Sequence, residues 1–263
     1  MTASPAATVR VSLEEDGRLL CLTLDKPKGN ILSLAMMREL LAALEAHRGN
    51  EALRLVLIGG AGGHFSFGAA IDEHRPETVR AMLATFHSLC RGLAAYPVPT
   101  AALVEGQCLG GAFELVLCCH FVLAAKSAVF GCPELKLGVF PPVLAAVGAE
   151  RLGGPLAERL LLTGDTMSAE TAHRAGWLTE LFVEGDAVSA ARRWAQAGVL
   201  SKSAFALRQA VTALRQGSAL QELLGDRLSA LERQYLAQVV PSHDGNEGLQ
   251  AFSERRAPQW KDR

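Results

Sequence analysis

Glu114 and Glu134 are the two residues of this chain whose type and spacing point most directly to chemistry. Glu114 stands three residues after Gly111 in Gln107-Cys108-Leu109-Gly110-Gly111-Ala112-Phe113-Glu114-Leu115, and Glu134 follows twenty residues later in Phe130-Gly131-Cys132-Pro133-Glu134. A glycine pair ahead of helix-forming apolar residues marks a helix N-terminus, whose unpaired N–H groups face whatever lies in front of it and suit an oxyanion. On such a helix Glu114 shares a face with the donor at Gly111. Its apolar flanks predict burial, which raises a carboxyl pKa toward the working pH. If the intervening segment returns to the same place, Glu134 supplies a second carboxyl. Together these groups are the equipment for adding water across a double bond conjugated to a carbonyl. A purely structural reading stands beside this one: an acid in a first turn favours the helix dipole, an acid after proline can sit in solvent, and paired glycines shape turns.

The elements that must position these residues follow from periodicity. Residues 9–13 and 19–24 read as a hairpin about Asp16-Gly17. Residues 32–46 have helical spacing, and 53–58 form a continuous apolar run of the kind that makes a buried strand, so the first β-α-β unit ends at the glycines that follow. A helix over 79–94, a strand over 100–104, a helix over 111–117 and a strand over 121–125 continue the alternation, which predicts a mostly parallel α/β core. From residue 156 onward the pattern becomes helix after helix, over 157–162, 169–175, 187–197, 204–216 and 219–239, with the sheet-forming portion finished. Pro241 ends the long helix, and 244–256 forms a last short one.

Composition narrows the functional classes. The chain has 263 residues, 49% hydrophobic, and a formal net charge of −1. That length holds a sizeable core. No positive field or dense basic run recruits nucleic acid. Six cysteines lack paired C-x-x-C spacing and read as small buried thiols in a reducing compartment. The N-terminal Met-Thr-Ala-Ser-Pro-Ala-Ala lacks the pattern of a secretory signal, and no apolar run reaches membrane-spanning length, so a cytoplasmic protein is expected. Gly59-Gly60-Ala61-Gly62-Gly63 matches neither a dinucleotide fingerprint nor a P-loop, the seven histidines have no metal-ligand spacing, and there is no G-x-S-x-G elbow.

Several motifs, in order and spacing, resemble the crotonase (enoyl-CoA hydratase/isomerase) superfamily. They are Lys26-Pro27-Lys28-Gly29-Asn30, Phe65-Ser66-Phe67-Gly68-Ala69-Ala70-Ile71, the Gly110 to Glu134 region, Leu162-Thr163-Gly164-Asp165 with Ala175-Gly176-Trp177-Leu178, and Glu247-Gly248-Leu249-Gln250-Ala251-Phe252. The resemblance implies an α/β fold in which residues 1–200 form a ClpP-like spiral of β-β-α units and 201–263 a C-terminal helical trimerisation region. Periodicity alone leaves a doubly wound sheet equally open. It also implies that Glu114 and Glu134 are catalytic and that the amides of Ala69 and Gly111 form the oxyanion hole. Lys28, Phe67, Gly68, Ala70, Ile71, Gly110, Phe140 and Pro141 would contact substrate, and Lys261 would reach the coenzyme A of a neighbouring subunit. No metal and no cofactor are expected, coenzyme A being part of the substrate. The expected assembly is a homotrimer or a dimer of trimers, without nucleic-acid or membrane partners.

Within that family, the stretch from Val139 to Ala146 holds no further acid or nucleophile, so two-acid hydration leads over isomerisation. Phe140-Pro141-Pro142 stands where simple enoyl-CoA hydratases carry a glycine-rich polar sequence, and gives a stiff apolar wall together with Phe67. A bulky or cyclic acyl group is implied. Together with Lys28-Gly29-Asn30-Ile31 and Phe65 to His74, the stretch resembles family members that act on cyclohexa-1,5-diene-1-carbonyl-CoA, a resemblance that implies hydration to 6-hydroxycyclohex-1-ene-1-carbonyl-CoA in benzoyl-CoA degradation. A straight-chain enoyl-CoA hydratase or isomerase is the alternative, and a non-catalytic crotonase fold used for binding, RNA included, is a third. Ala70-Ile71-Asp72 departs from the Ala-Asp-Ile-Lys of many relatives and removes a cation, which leaves Lys26, Lys28 and Lys261 as candidates for the phosphates.

Overall fold

A computed structural model of the protein describes residues 7–182 and 186–263; residues 1–6, most of the N-terminal stretch that lacks a secretory-signal pattern, lie outside them. Among the described residues nine strands form two sheets. The larger has the order β1 (Val9–Glu14), β2 (Leu19–Leu24), β3 (Leu55–Gly60), β4 (Thr100–Val104), β6 (Phe121–Ala125), β9 (Glu180–Phe182), and the smaller the order β5 (Gln107–Leu109), β7 (Val129–Gly131), β8 (Thr166–Ser168). Among the described residues, β1 with β2 and β7 with β8 pair antiparallel and the other strand pairs are parallel. The β1–β2 hairpin turns through Glu15, Asp16 and Gly17, all at positive φ. Parallel pairing requires covered faces, and the sequence shows it: in β2, Leu20, Leu22 and Leu24 enter the main core while Leu19 and Cys21 enter a second one.

Between strands run α1 (Leu34–His47), α2 (Val79–Ala94), α3 (Gly111–Leu117), α4 (Pro142–Leu152), α5 (Gly154–Thr163) and α6 (Ala169–Arg174). From β4 onward each turn of the chain gives one strand to the large sheet and one to the small sheet. Isolated parallel bridges, Ser66 to Cys108 and Leu32 to Ala69, carry the small sheet's pairing back through the earlier turns. This is the β-β-α spiral, with α1, α2 and α3 packed on the main core. The remaining helices are α7 (Ala187–Ala195), α8 (Ala204–Gln216), α9 (Leu220–Glu222), α10 (Leu228–Gln234) and α11 (His243–Glu254). Helix α7 covers the second face of the large sheet through Ala187, Ala191 and Ala195.

Three expectations need correction. Strand formation is not finished at residue 156: β8 and β9 complete both sheets, but each has only three residues, too few for a period-two signal. Residues 142–152 also form a full helix, α4, rather than only a stiff wall. Pro142 at its first position needs no N–H partner there and starts the helix instead of breaking it. The long run expected over 219–239 is helical, but two π-helical turns, Leu223–Arg227 and Tyr235–Val239, interrupt it. Among the described residues no helix is long and apolar enough to cross a membrane.

The last helix docks on the site-bearing turn. A methyl group at Gly248 of α11 would lie 2.2 Å from the Leu137 carbonyl oxygen, and one at Gly138 would lie 2.4 Å from that of Asp244. Gly248→Ala must therefore push α11 off this turn and is expected to lower unfolding stability by about 1–3 kcal/mol. Gly225 is the control: a methyl group there would meet nothing within 4 Å, so Gly225→Ala is expected to be neutral or slightly stabilising. Urea titration of the two variants checks this; equal midpoints would show that α11 does not dock through Gly248.

Candidate active site

The site is assembled by the small sheet. β7 runs parallel to β5 with Gly131 opposite Leu109, and the Gly110 N–H donates to the Gly131 carbonyl at 2.8 Å. The chain thereby returns to Gly110 just before Glu134. A methyl group on Gly110 would lie 2.7 Å from Glu134 Oε1. On the other side of β5, the Leu109 N–H donates to the Ser66 carbonyl at 3.0 Å, which sets residues 65–70 beside 107–111. Gly68 has φ +100°, and a methyl group on it would lie 2.7 Å from the Leu109 carbonyl oxygen. Gly68 and Gly110 are thus fixed as glycine by both positive φ and close contact.

The close approach puts Ala69 beside Gly111, with Ala69 Cβ 3.6 Å from the position a Gly111 Cβ would take. Neither residue's amide N–H has an acceptor among the described residues. Gly111 is the first residue of α3, where the helix itself provides none. Two neighbouring free amides are what an oxyanion hole requires.

Glu114 is 3% exposed. Its Oε1 accepts the backbone N–H groups of Val143 at 2.6 Å and Leu144 at 2.9 Å, the second and third residues of α4. The N-terminus of α4 therefore holds one oxygen of this carboxylate, and Oε2 has no protein partner among the described residues. Burial pushes Glu114 up to about 7 against the pull of these two donors. Glu134 is half-buried as a residue, but its Oε2 is shut off from solvent without a hydrogen-bond partner. Burial, and then the charge of Glu114, push it up to about 8. The pair shares protons and titrates as a unit.

A cleft of about 890 Å³ leads in from the surface, lined by Lys28, Phe67, Gly68, Ala70, Ile71, Gly110 and Glu134 among others. Behind it lies a chamber of about 30 Å³, where Phe140 and Pro141 join Ala69, Gly111 and both glutamates. That volume holds a water molecule or two but no six-membered ring. Phe67 and Phe140 therefore do not form one wall: Phe67 stands at the cleft, and Phe140 behind it. Phe67 packs against Gly29, whose added methyl would be 2.4 Å from its ring. Asn30 staples this turn, with its Nδ2 donating to the carbonyls of Ala61, His64 and Phe65. Lys261 lies outside the cleft of its own chain; its backbone N–H donates to Asp244. A separate cavity of about 500 Å³, beside His120, Arg151 and Arg215, is away from both glutamates.

Sequence reasoning passed over several residues that line these spaces. Lys136 is a second cleft cation without an ion pair among the described residues, beside Lys28. Leu249 and Phe252 of α11 close the cleft from the C-terminal side, and the motif that contains them was legible without its destination. His74, an ordinary histidine by its spacing, borders both cleft and chamber. Its Nδ1 donates to the Ala70 carbonyl at 2.9 Å, and burial lowers its pKa, so it is neutral with Nε2 as acceptor. All six cysteines are free and buried.

The comparisons with known proteins agree with this geometry. The family model for enoyl-CoA hydratase/isomerase matches residues 14–263. Cyclohexa-1,5-dienecarbonyl-CoA hydratase from Thauera aromatica is 40% identical over 258 residues, covering 98% of each chain. The 2,3-dehydroadipyl-CoA hydratase of Escherichia coli K12 is 33% identical over 94% of this chain and 96% of its own. The crystal structure of an enoyl-CoA hydratase from Mycobacterium avium subsp. paratuberculosis superposes with a TM-score of 0.82 at 28% identity, over 98% of this chain and all of that one. The chain belongs to the enoyl-CoA hydratase/isomerase family, the crotonases. It is an enzyme of the hydro-lyase class.

Both glutamates keep their protons to higher pH when folded than the ordinary carboxyl value of 4.5. Between that value and the folded ones the unfolded chain binds fewer protons than the native one. The pair's contribution to stability is therefore full below about 4.5 and is lost as pH rises toward the folded pKa values. Denaturant titrations across this range should show that slope in the native protein and a shallower one in Glu114→Gln/Glu134→Gln. Identical slopes would exclude the pair as its source.

Proposed function

We propose that the protein adds water to a conjugated cyclic acyl-CoA, cyclohexa-1,5-diene-1-carbonyl-CoA, giving 6-hydroxycyclohex-1-ene-1-carbonyl-CoA. The observation that carries the hydration is the placement of both carboxyls and both free amides around a water-sized chamber. The choice of a cyclic substrate is supported by the stiff Phe140-Pro141-Pro142 floor and by the likeness to the Thauera aromatica hydratase. The thioester carbonyl accepts from the Ala69 and Gly111 amides, and the ring rests at the mouth of the chamber with the coenzyme A arm in the cleft, near Lys28 and Lys136.

Glu114, whose Oε1 is already held by two donors, is the carboxylate, and Glu134, with Oε2 buried unpaired beside that charge, is the acid. The water oxygen bonds to the ring carbon β to the carbonyl while its proton passes to Glu114. The displaced electron pair moves toward the thioester oxygen and spreads over the remaining double bond. Glu134 then delivers its proton to the far end of that conjugated system, and one proton moves between the carboxyls to restore the pair. Loss of a single oxyanion donor of this type typically costs about 3 kcal/mol of transition-state stabilisation. The reading calls for no metal and no resident cofactor. A cytoplasmic homotrimer or dimer of trimers accompanies this proposal; Phe205 and Leu214 of α8, exposed in the single chain, offer apolar surface for it.

The test compares kcat/KM for cyclohexa-1,5-diene-1-carbonyl-CoA and crotonyl-CoA under one set of conditions. The cyclic ester is expected to be preferred, because a six-membered ring buries more apolar surface against the stiff Phe140-Pro141-Pro142 floor than a four-carbon crotonyl group does. Preference for crotonyl-CoA would reject the cyclic substrate and favour the straight-chain alternative.

A further inference from the structure

Tyr235 comes from outside the spiral, yet it borders the catalytic chamber together with Ala69, Gly111, Glu114 and Glu134. It is 3% exposed and packs its ring against Phe140, with centroids 5.4 Å apart at 61°. A buried tyrosine hydroxyl normally finds a hydrogen-bond partner. That of Tyr235 has none among the described residues, and on the same chamber Glu134 Oε2 is also unpartnered. Two unpartnered polar groups bordering one water-sized space, of which Glu134 Oε2 is fully enclosed, imply that what fills the space is polar.

The fold holds Tyr235 there by specific means. It is the first residue of the π-helical turn Tyr235–Val239, and such turns change the direction in which the following side chains point. The helix that carries it is fastened to α2. His87 Nδ1 lies 2.5 Å from Glu232 Oε2, and Arg91 donates through Nε to the Leu224 carbonyl at 2.7 Å and through Nη2 to Ser229 Oγ at 3.1 Å. α2 also brings Phe86 to the chamber wall. The C-terminal segment thus completes the site of its own chain.

The chemistry available to this phenol is narrow. Burial, then the charges of Glu134 and Glu114, raise its pKa above the ordinary value, so it stays protonated and acts as a donor. A donor on the same chamber as two carboxyls suits an uncharged oxygen lying among them. We propose that Tyr235 positions the water that adds to the substrate, donating its O–H to the water oxygen and afterwards to the hydroxyl of the product. With one lone pair occupied by Tyr235 and one proton directed at Glu114, the remaining lone pair is aimed at the ring carbon. The phenol keeps its own proton throughout; the carbon–oxygen bond forms from water, whose proton goes to Glu114, and the carbon-bound proton comes from Glu134. This role rests on the hydration proposed above.

Tyr235→Phe retains the ring on Phe140 and deletes only the unbonded hydroxyl, so the variant is expected to fold. Its affinities for two inert or slowly reacting probes separate the outcomes: cyclohexanecarbonyl-CoA, which has no hydroxyl, and 6-hydroxycyclohex-1-ene-1-carbonyl-CoA. The expected result is unchanged binding of the first, about tenfold weaker binding of the second, and hydration kcat reduced about tenfold or more with little change in substrate KM. Equal affinity of native protein and variant for the hydroxylated ester, with unchanged kcat, would overturn the inference while hydration by the native protein still stands. Parallel loss of affinity for both esters would assign Tyr235 a packing role and likewise overturn it. A native protein that hydrates no cyclic or linear ester would remove the hydration reading, and this inference with it.

Discussion

Two carboxyl groups buried beside each other in a site with little room for water constrain the rest of this structure. Desolvation penalises the charge on each, and the charge on one penalises the other, so the pair favours a state with a single negative charge. The fold makes that state asymmetric. α4 points two backbone N–H groups at Glu114 Oε1 and stabilises charge there, while Glu134 Oε2 is left without a donor, where a neutral carboxyl is tolerated best. A proton acceptor and a proton donor near neutrality follow from one helix terminus and one unpaired oxygen.

The chain obtains this arrangement through backbone contact more than through side chains. Gly68 against Leu109, Gly110 against Glu134 and Gly248 against Leu137 are each positions where a methyl group would collide. They fix, in turn, the two amide donors, the second carboxyl and the helix that closes the cleft. Asn30 does the corresponding work at the entrance, joining the Lys28-Gly29 turn to three carbonyls of the 61–65 loop and so setting Phe67 at the cleft.

Much of this was legible in the amino-acid sequence, and the remainder was hidden for physical reasons. The strands over 100–104 and 121–125 and the helices over 79–94, 111–117 and 204–216 coincide with the structure because each is long enough to show its period or is bounded by glycine or proline. The short strands β8 and β9 carry too few residues for alternation, and their partners are distant in sequence. Pro142 reads equally as a rigid wall or as a helix start, and only the hydrogen bonds to Glu114 show that it begins α4. Glu114 and Glu134 stood out by spacing. Tyr235, His74 and Lys136 did not, since a lone tyrosine, histidine or lysine has no local signature and acquires significance only when the chain folds back on the small sheet.

The central claim is that the pair holds one proton near neutrality and that Glu134 carries it. Infrared difference spectroscopy of native protein against Glu134→Gln at neutral pH tests this directly. The account predicts a protonated-carboxyl carbonyl stretch in the native protein that disappears in the variant and persists in Glu114→Gln. A native spectrum showing only ionised carboxylates at neutral pH, with no band lost on substituting Glu134, would contradict it.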